Sequence, residues 1–166
     1  MDVMRPMTDR EIRSAFVNCS KGAAKRIPVP RDLDDRPWDD LDFLGWRDAG
    51  APDRAYLVTR DEDRARGIVL RSAPPAAWQV RRSMCSVCLT APSAGVSLMV
   101  APRAGRAGQD GNSVGTYLCA DLNCSLYIRG LKDAGPSARL PEVITVEERI
   151  ARTVTNLESF LARVHR

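Results

Sequence analysis

Four of the five cysteines in this 166-residue chain fall into two close pairs, Cys85-x2-Cys88 and Cys119-x4-Cys124, with thirty residues between them. An odd cysteine total with four gathered this way is poor disulfide arithmetic. In a reducing compartment such pairs more often hold a metal. Four thiolates suit zinc, which takes four tetrahedral ligands and binds sulfur at about 2.3 Å, so two turns of backbone must converge on one point. A site closed by four thiolates keeps no position for water or substrate, and is expected to organise the fold and activate nothing. The fifth cysteine, Cys19, is expected as a small core hydrophobe and not a ligand.

Little else in the chain could do chemistry. The only histidine, His165, is the second-last residue. With no second imidazole and no plausible nucleophile–base pair, no hydrolytic or transfer constellation can be written, and the chain is expected not to be an enzyme. Gly105-x-x-Gly108-x-x-Gly111 lacks the Lys-Ser/Thr and the strand-to-helix setting of a phosphate loop; it is expected as a hairpin loop.

The elements that must position the cysteines follow from the spacing. Met84 to Cys88 makes a tight knuckle in which two sulfurs can face one ion. Val96 to Val100 and Val114 to Leu118 have the apolar character of two strands, joined by the Gly-, Arg- and Asp-rich stretch Pro102 to Ser113. Ala120 to Leu131 has the composition of a short helix. Cys119 and Cys124 are five positions apart, about 140° around a helix, so both cannot point one way from within it. Cys119 should therefore precede the helix and Cys124 should lie in its first turn. Knuckle, hairpin, then helix is the order of a treble-clef zinc finger. A helix N-terminus also favours the thiolate.

Elsewhere the C-terminal helix is the clearest periodic element: Val146, Ile150, Val154, Leu157, Leu161 and Val164 make one apolar stripe, with Thr145 and Glu148 as a capping box at its start. Thr8 and Glu11 form another such box, with Met7 and Ile12 as a hydrophobic staple. Ile12, Phe16 and Cys19 then share a helical face that fades near Gly22. Residues 28–53 hold Pro28, Pro30, Pro37 and Pro52, and seven aspartates lie between Asp32 and Asp48, interleaved with Trp38, Phe43 and Trp46. They are expected as a surface loop with one short helix, pinned to the core by its aromatics; the alternative is a docking segment for a basic partner. Ala55–Thr59 and Gly67–Arg71 are expected as two strands, with Arg60 to Arg66 as their turn and Pro74-Pro75 ending the second.

Hydrophobic residues make up 44% of the chain, enough for a packed core, and aromatics only 5%, so that core is mostly aliphatic. No apolar run approaches the roughly 20 residues that span a bilayer, and the first residues lack a signal-peptide core. The chain is expected to be cytoplasmic, monomeric and without a membrane partner. Its net charge of +4 lies in residues 81–166, which hold 11 basic and 7 acidic side chains, against 14 of each in residues 1–80. That excess suits an acidic protein or an RNA.

The run Gly115 to Gly130, with Cys119-x4-Cys124 followed by Ser125 and Arg129, adds a further signal. Together with Cys85-x2-Cys88 and a closing helix containing Asn156-Leu157 and Phe160-Leu161, it resembles the FBP-type treble-clef zinc finger of elongation factor G-binding, FusB-like proteins. The likeness covers about residues 80–166. It implies a non-enzymatic, zinc-binding translation protein that grips the C-terminal part of elongation factor G and modulates its release from the ribosome. The family's zinc ligands carry over to Cys85, Cys88, Cys119 and Cys124. FusB-like proteins begin with a helical bundle, whereas residues 1–80 here suggest one helix, an acidic loop and a hairpin, so antibiotic protection does not follow from the likeness.

The expected fold is thus α+β: a treble-clef core with an additional N-terminal helix and hairpin and a closing C-terminal helix. The division falls into residues 1–54, an N-terminal helix and acidic segment, and residues 55–166, the zinc-finger domain. The expected gripping surface is the finger's basic face, with Arg103, Arg106, Tyr127, Arg129 and Lys132. The same face on RNA phosphates, in a direct RNA or ribosome binder, is the competing expectation; few aromatics lie near it for base stacking.

Overall fold

A computed structural model describes residues 4–72, 84–136 and 143–166; Pro74-Pro75, expected to end a strand, lie outside them. Its centre is a five-stranded antiparallel sheet in sequence order: β1 (Leu44–Asp48), β2 (Ala51–Asp61), β3 (Arg64–Ser72), β4 (Val96–Pro102) and β5 (Ser113–Cys119). The helices are short, α1 (Asp9–Arg13), α2 (Lys21–Lys25), α3 (Arg106–Gln109) and α4 (Cys124–Ile128), except for the closing α5 (Val146–His165). Among the described residues no helix is long and apolar enough to cross a membrane.

Successive side chains of a strand point to opposite faces, and β2 and β3 use both. Ala55, Leu57, Ile68 and Leu70 join one core with Val96, Met99, Leu118 and the four cysteines. Leu157, Phe160, Leu161 and Val164 of α5 complete that layer. Tyr56 and Val58, one residue out of step, join a second core with Met4, Ile12, Trp38, Leu44 and Trp46. The N-terminal segment therefore covers one face of β1–β3, and α5 with the cysteine cluster covers the other.

Local chemistry explains most elements. Thr8 accepts a hydrogen bond from the Glu11 backbone and starts α1, and Thr145 with Glu148 forms the full reciprocal box that starts α5. The first helix is much shorter than its periodicity suggests, because the backbone after it is taken by the sheet. Gly67 N–H donates to Ala15 C=O, Val17 N–H donates to Gly67 C=O, and the Asn18 amide exchanges two hydrogen bonds with Val69. A residue paired to a strand cannot continue a helix.

The β2–β3 turn is also tighter than expected. Both strands run on to Asp61 and Arg64, leaving Glu62 and Asp63 as a two-residue turn with Glu62 at φ 51°. Residues 28–53 contain two 3-10 turns, Leu33–Asp35 and Trp38–Asp40, and then β1. The aromatics pin this segment as expected: Trp38 and Trp46 are buried and donate to Leu33 C=O and Pro28 C=O at 2.8 Å each. Because β2 starts at Ala51 and pairs with β1, the division drawn between residues 54 and 55 runs through a strand. The Gly105–Gly111 stretch forms part of the β4–β5 connection and carries α3.

Candidate metal centre

The two cysteine pairs arrive from different elements. Cys85 and Cys88 sit on the turn before β4, whose backbone closes by hydrogen bonds from Leu89 N–H to Cys85 C=O and from Cys85 N–H to Thr90 C=O, both 2.9 Å. Cys119 is the last residue of β5 and Cys124 the first of α4, as the five-residue spacing requires. Leu89 and Leu122, one beyond the first pair and one inside the second, have φ of 55° and 58°. Non-glycine residues rarely adopt this left-handed backbone, and here it reverses the chain sharply beside each pair.

Neighbouring elements hold both turns in place. Ser86 N–H donates to Tyr117 C=O of β5, and the Asn156 amide of α5 donates to Val87 C=O at 3.1 Å. Arg47 of β1 donates to Ala120 C=O and, through its other nitrogens, to Pro52 C=O and Ser97 Oγ. Gly45 of β1 is needed for close approach: a β-carbon there would lie 2.7 Å from Leu122 Cβ, so only glycine lets the second cysteine loop rest on that strand.

The four sulfurs lie within 4.8 Å of one another, and all four residues are buried. Cys85 and Cys124 Sγ are 3.7 Å apart, Cys88 and Cys119 Sγ 3.5 Å. Sulfurs placed tetrahedrally around zinc at about 2.3 Å are separated by roughly 3.8 Å, so the donor set fits that ion. The electrostatics agree. Hydrogen bonds from Cys119, Cys124 and Cys88 hold the Cys85 thiol well below its usual range, whereas the bonds of Cys124 with Cys119, Cys85 and Cys88 push that thiol well above it. Crowded, buried sulfurs cannot all ionise unaided; a divalent cation removes the conflict. Cys88 N–H also points at Cys85 Sγ, 3.4 Å away, which favours a thiolate there. Cys19 lies apart, partly buried against the N-terminal core, and burial raises its thiol pKa.

The residues expected to grip a partner behave differently. Tyr127 is buried; its hydroxyl donates to Asp121 at 2.5 Å, and burial followed by that hydrogen bond pushes its pKa well up. Arg129 donates to both oxygens of Asp42, at 2.7 and 2.9 Å, with side chains only 10% and 3% exposed. These two side chains are internal struts, which corrects their assignment to a contact surface. Lys132 pairs with Asp121 at 2.8 Å and lies over the Tyr127 ring. Arg103 donates to the C=O groups of Arg163 and Arg166, capping the end of α5. Arg106 alone of the five is exposed, and its guanidinium has no ion-pair or hydrogen-bond partner among the described residues. Sequence reasoning missed Asp42, Arg47 and Asp121. Asp42 is one of seven aspartates in its segment, and nothing local marks it as the one that is paired.

Comparison with known proteins agrees with this geometry. Curated proteins yield no match. Among solved structures, one described as the structure of the fusidic acid resistance protein FusC shares the fold, with a TM-score of 0.57 at 16% identity. The match covers 98% of this chain and 60% of that one, so the chain spans about three-fifths of that protein's length. The family model described as the FBP C-terminal treble-clef zinc-finger matches residues 11–164, which extends the likeness seen over residues 80–166 to nearly the whole chain. A sheet that carries β1–β3 as an integral part of the cysteine-bearing core accounts for that reach, and the chain belongs to the FBP C-terminal treble-clef zinc-finger family.

Proposed function

We propose that this chain is a non-enzymatic, cytoplasmic zinc protein that binds translation elongation factor G and modulates the factor's release from the ribosome, with Cys85, Cys88, Cys119 and Cys124 as the zinc ligands. The observation that carries the reading is the closed cluster itself. Four buried sulfurs fill a tetrahedral site and leave no open position, so the metal serves the fold and function falls to the surface it displays. The elongation factor enters through the FBP family and through a structural neighbour that is a fusidic acid resistance protein.

The internal roles of Tyr127 and Arg129 move the proposed contact to the outer face of β4 and β5. Leu98 and Tyr117 are Cα partners there, and they are 40% and 45% exposed. Two large apolar side chains side by side on an uncovered sheet face suit a protein better than a phosphate backbone. Arg106, in the connection between the same strands, adds a free positive charge. Such a module acts on the ribosome by binding the released and bound states of the factor with different affinity; equal affinity would shift nothing.

The test is a pull-down of purified, zinc-loaded protein against elongation factor G at low and high salt, with ribosomal RNA as competitor. Retention at both salts, lost in Leu98→Asp/Tyr117→Asp, is the expected result. Failure to retain the factor, with salt-sensitive capture of RNA instead, would replace this reading with a direct RNA binder, because counterion release makes RNA affinity fall steeply with salt.

A further inference from the structure

On the N-terminal side of the sheet, away from the four clustered cysteines, lies a cavity of about 430 Å³ whose lining includes Cys19. It lies within the size range of small-molecule sites. Its floor includes Tyr56 and Val69, and Arg26, Arg54 and Arg71 line it. Arg54 and Arg71 are Cα partners across β2 and β3, and both fall on the Tyr56–Val69 face. Like charges directly opposite on a sheet repel and destabilise the pairing, and among the described residues no carboxylate is paired with either arginine. Among the described residues no guanidinium of the three arginines has an ion-pair or hydrogen-bond partner. The one carboxylate in the lining, Asp48, is committed elsewhere: it accepts from the Tyr56 hydroxyl at 3.0 Å and from Gly50 N–H at 2.9 Å.

We propose that this cavity is a binding site for a small phosphate monoester, with the phosphate held between Arg54 and Arg71, Arg26 closing over it, and the apolar body resting on Tyr56 and Val69. Three guanidinium groups against one carboxylate leave an excess of two positive charges, which matches the roughly −1.5 to −2 of a phosphate monoester at neutral pH and overmatches a single carboxylate. Guanidinium forks also suit phosphate oxygens geometrically. Bound phosphate would remove the cross-strand repulsion, so occupancy should stabilise the hairpin. This site is independent of the zinc centre and of the elongation-factor reading.

The experiment is calorimetric titration of the zinc-loaded protein with adenosine monophosphate and with inorganic phosphate, beside adenosine and acetate as controls. Amide NMR shifts at Val69 and Arg71 locate any binding. Saturable binding of the monophosphate, weaker binding of inorganic phosphate and none of the controls is expected. Arg54→Gln/Arg71→Gln should weaken the monophosphate at least about tenfold, while retaining zinc and melting no lower than the parent because the repulsion is gone. If that variant fails to fold, Arg26→Gln, at the exposed end of α2, supplies the same comparison. No saturation, equal binding of acetate, or undiminished affinity in the arginine variants would overturn the proposal.

Discussion

On one face of the sheet, four cysteines from three segments meet behind β4 and β5, and α5 seals them with Leu157, Phe160, Leu161 and Val164. On the other face a proline-broken segment with hardly two turns of helix in any one piece is held by Trp38, Trp46, Tyr56 and Phe16. Tyr56 stacks obliquely on Trp46 at 5.3 Å and meets the Phe16 ring edge-on at 6.0 Å. The first side draws its order from coordinate bonds that fix a few atoms exactly where backbone turns present them. The second draws it from aromatic area, which tolerates irregular backbone provided that indole N–H groups find carbonyls. Four of the chain's nine aromatics, Phe16, Trp38, Trp46 and Tyr56, stand on the face that has no metal.

Removing zinc should have the largest effect. Structural zinc contributes on the order of 10 kcal/mol of folding free energy in small domains, comparable with the whole of the roughly 5–15 kcal/mol that separates most domains from unfolding. Since Ala55, Leu57, Ile68 and Leu70 share strands with Tyr56 and Val58, the loss is expected to spread to both faces. Hydrogen exchange on chelator-treated protein or on Cys124→Ala should show protection lost in residues 44–72 as well as 84–128. Continued protection of 44–72 would divide the molecule into two cooperative units and break the comparison as drawn.

Trp46→Ala should cost about 3–5 kcal/mol, the usual effect of emptying a buried tryptophan site. Thermal or urea unfolding measures the loss, and metal analysis of the folded fraction should still find one zinc per chain. Zinc lost in proportion to the tryptophan would mean that the aromatic face also shapes the metal turns.

Arg129 and Asp42 tie the two regions, since Asp42 precedes β1 and Arg129 follows α4. Arg129→Met should cost about 3 kcal/mol by leaving a buried carboxylate unpaired, and Asp42→Asn in the same chain should recover part of it. A double-mutant cycle measures the coupling; additive losses would show that the pair does not join the regions.

The same contrast explains what was legible in the amino-acid sequence. Four thiolates must converge, so their spacing pointed to a knuckle, a hairpin and a helix with Cys124 in its first turn. The helix itself, Cys124–Ile128, is shorter than the composition of Ala120 to Leu131 suggested. A stripe over five turns announced α5. On the other face the signals pointed the wrong way. Ile12, Phe16 and Cys19 have helical spacing, yet Gly67 claims the backbone around Phe16, and β1, with Gly45 and Asp48 in five residues, has little strand character. Arg129 looked like a surface group because its partner Asp42 lies 87 residues away. Long-range pairing of this kind leaves no local pattern, whereas metal ligation does.

The smallest expected effect separates the two faces by pH. Burial, then the hydrogen bond and charge of Asp48, raise the Tyr56 phenol from its ordinary 10 to about 12, with the Arg54 charge opposing. A group whose folded pKa lies above its unfolded value favours the protonated form in the fold. Its contribution is therefore complete below pH 10 and is lost as pH rises through about 12. Acid acts on the opposite face, where protons compete with zinc for the thiolates. Urea unfolding of the parent and of Tyr56→Phe should differ by about 1 kcal/mol at neutral pH, for the lost hydroxyl bond. That gap should narrow as pH climbs through the alkaline window, because the parent alone loses the neutral Tyr56 phenol. Parallel alkaline losses in the two proteins would place the sensitive group elsewhere, with Tyr127 on the zinc side, whose phenol is also held well above its usual range, as the next to substitute.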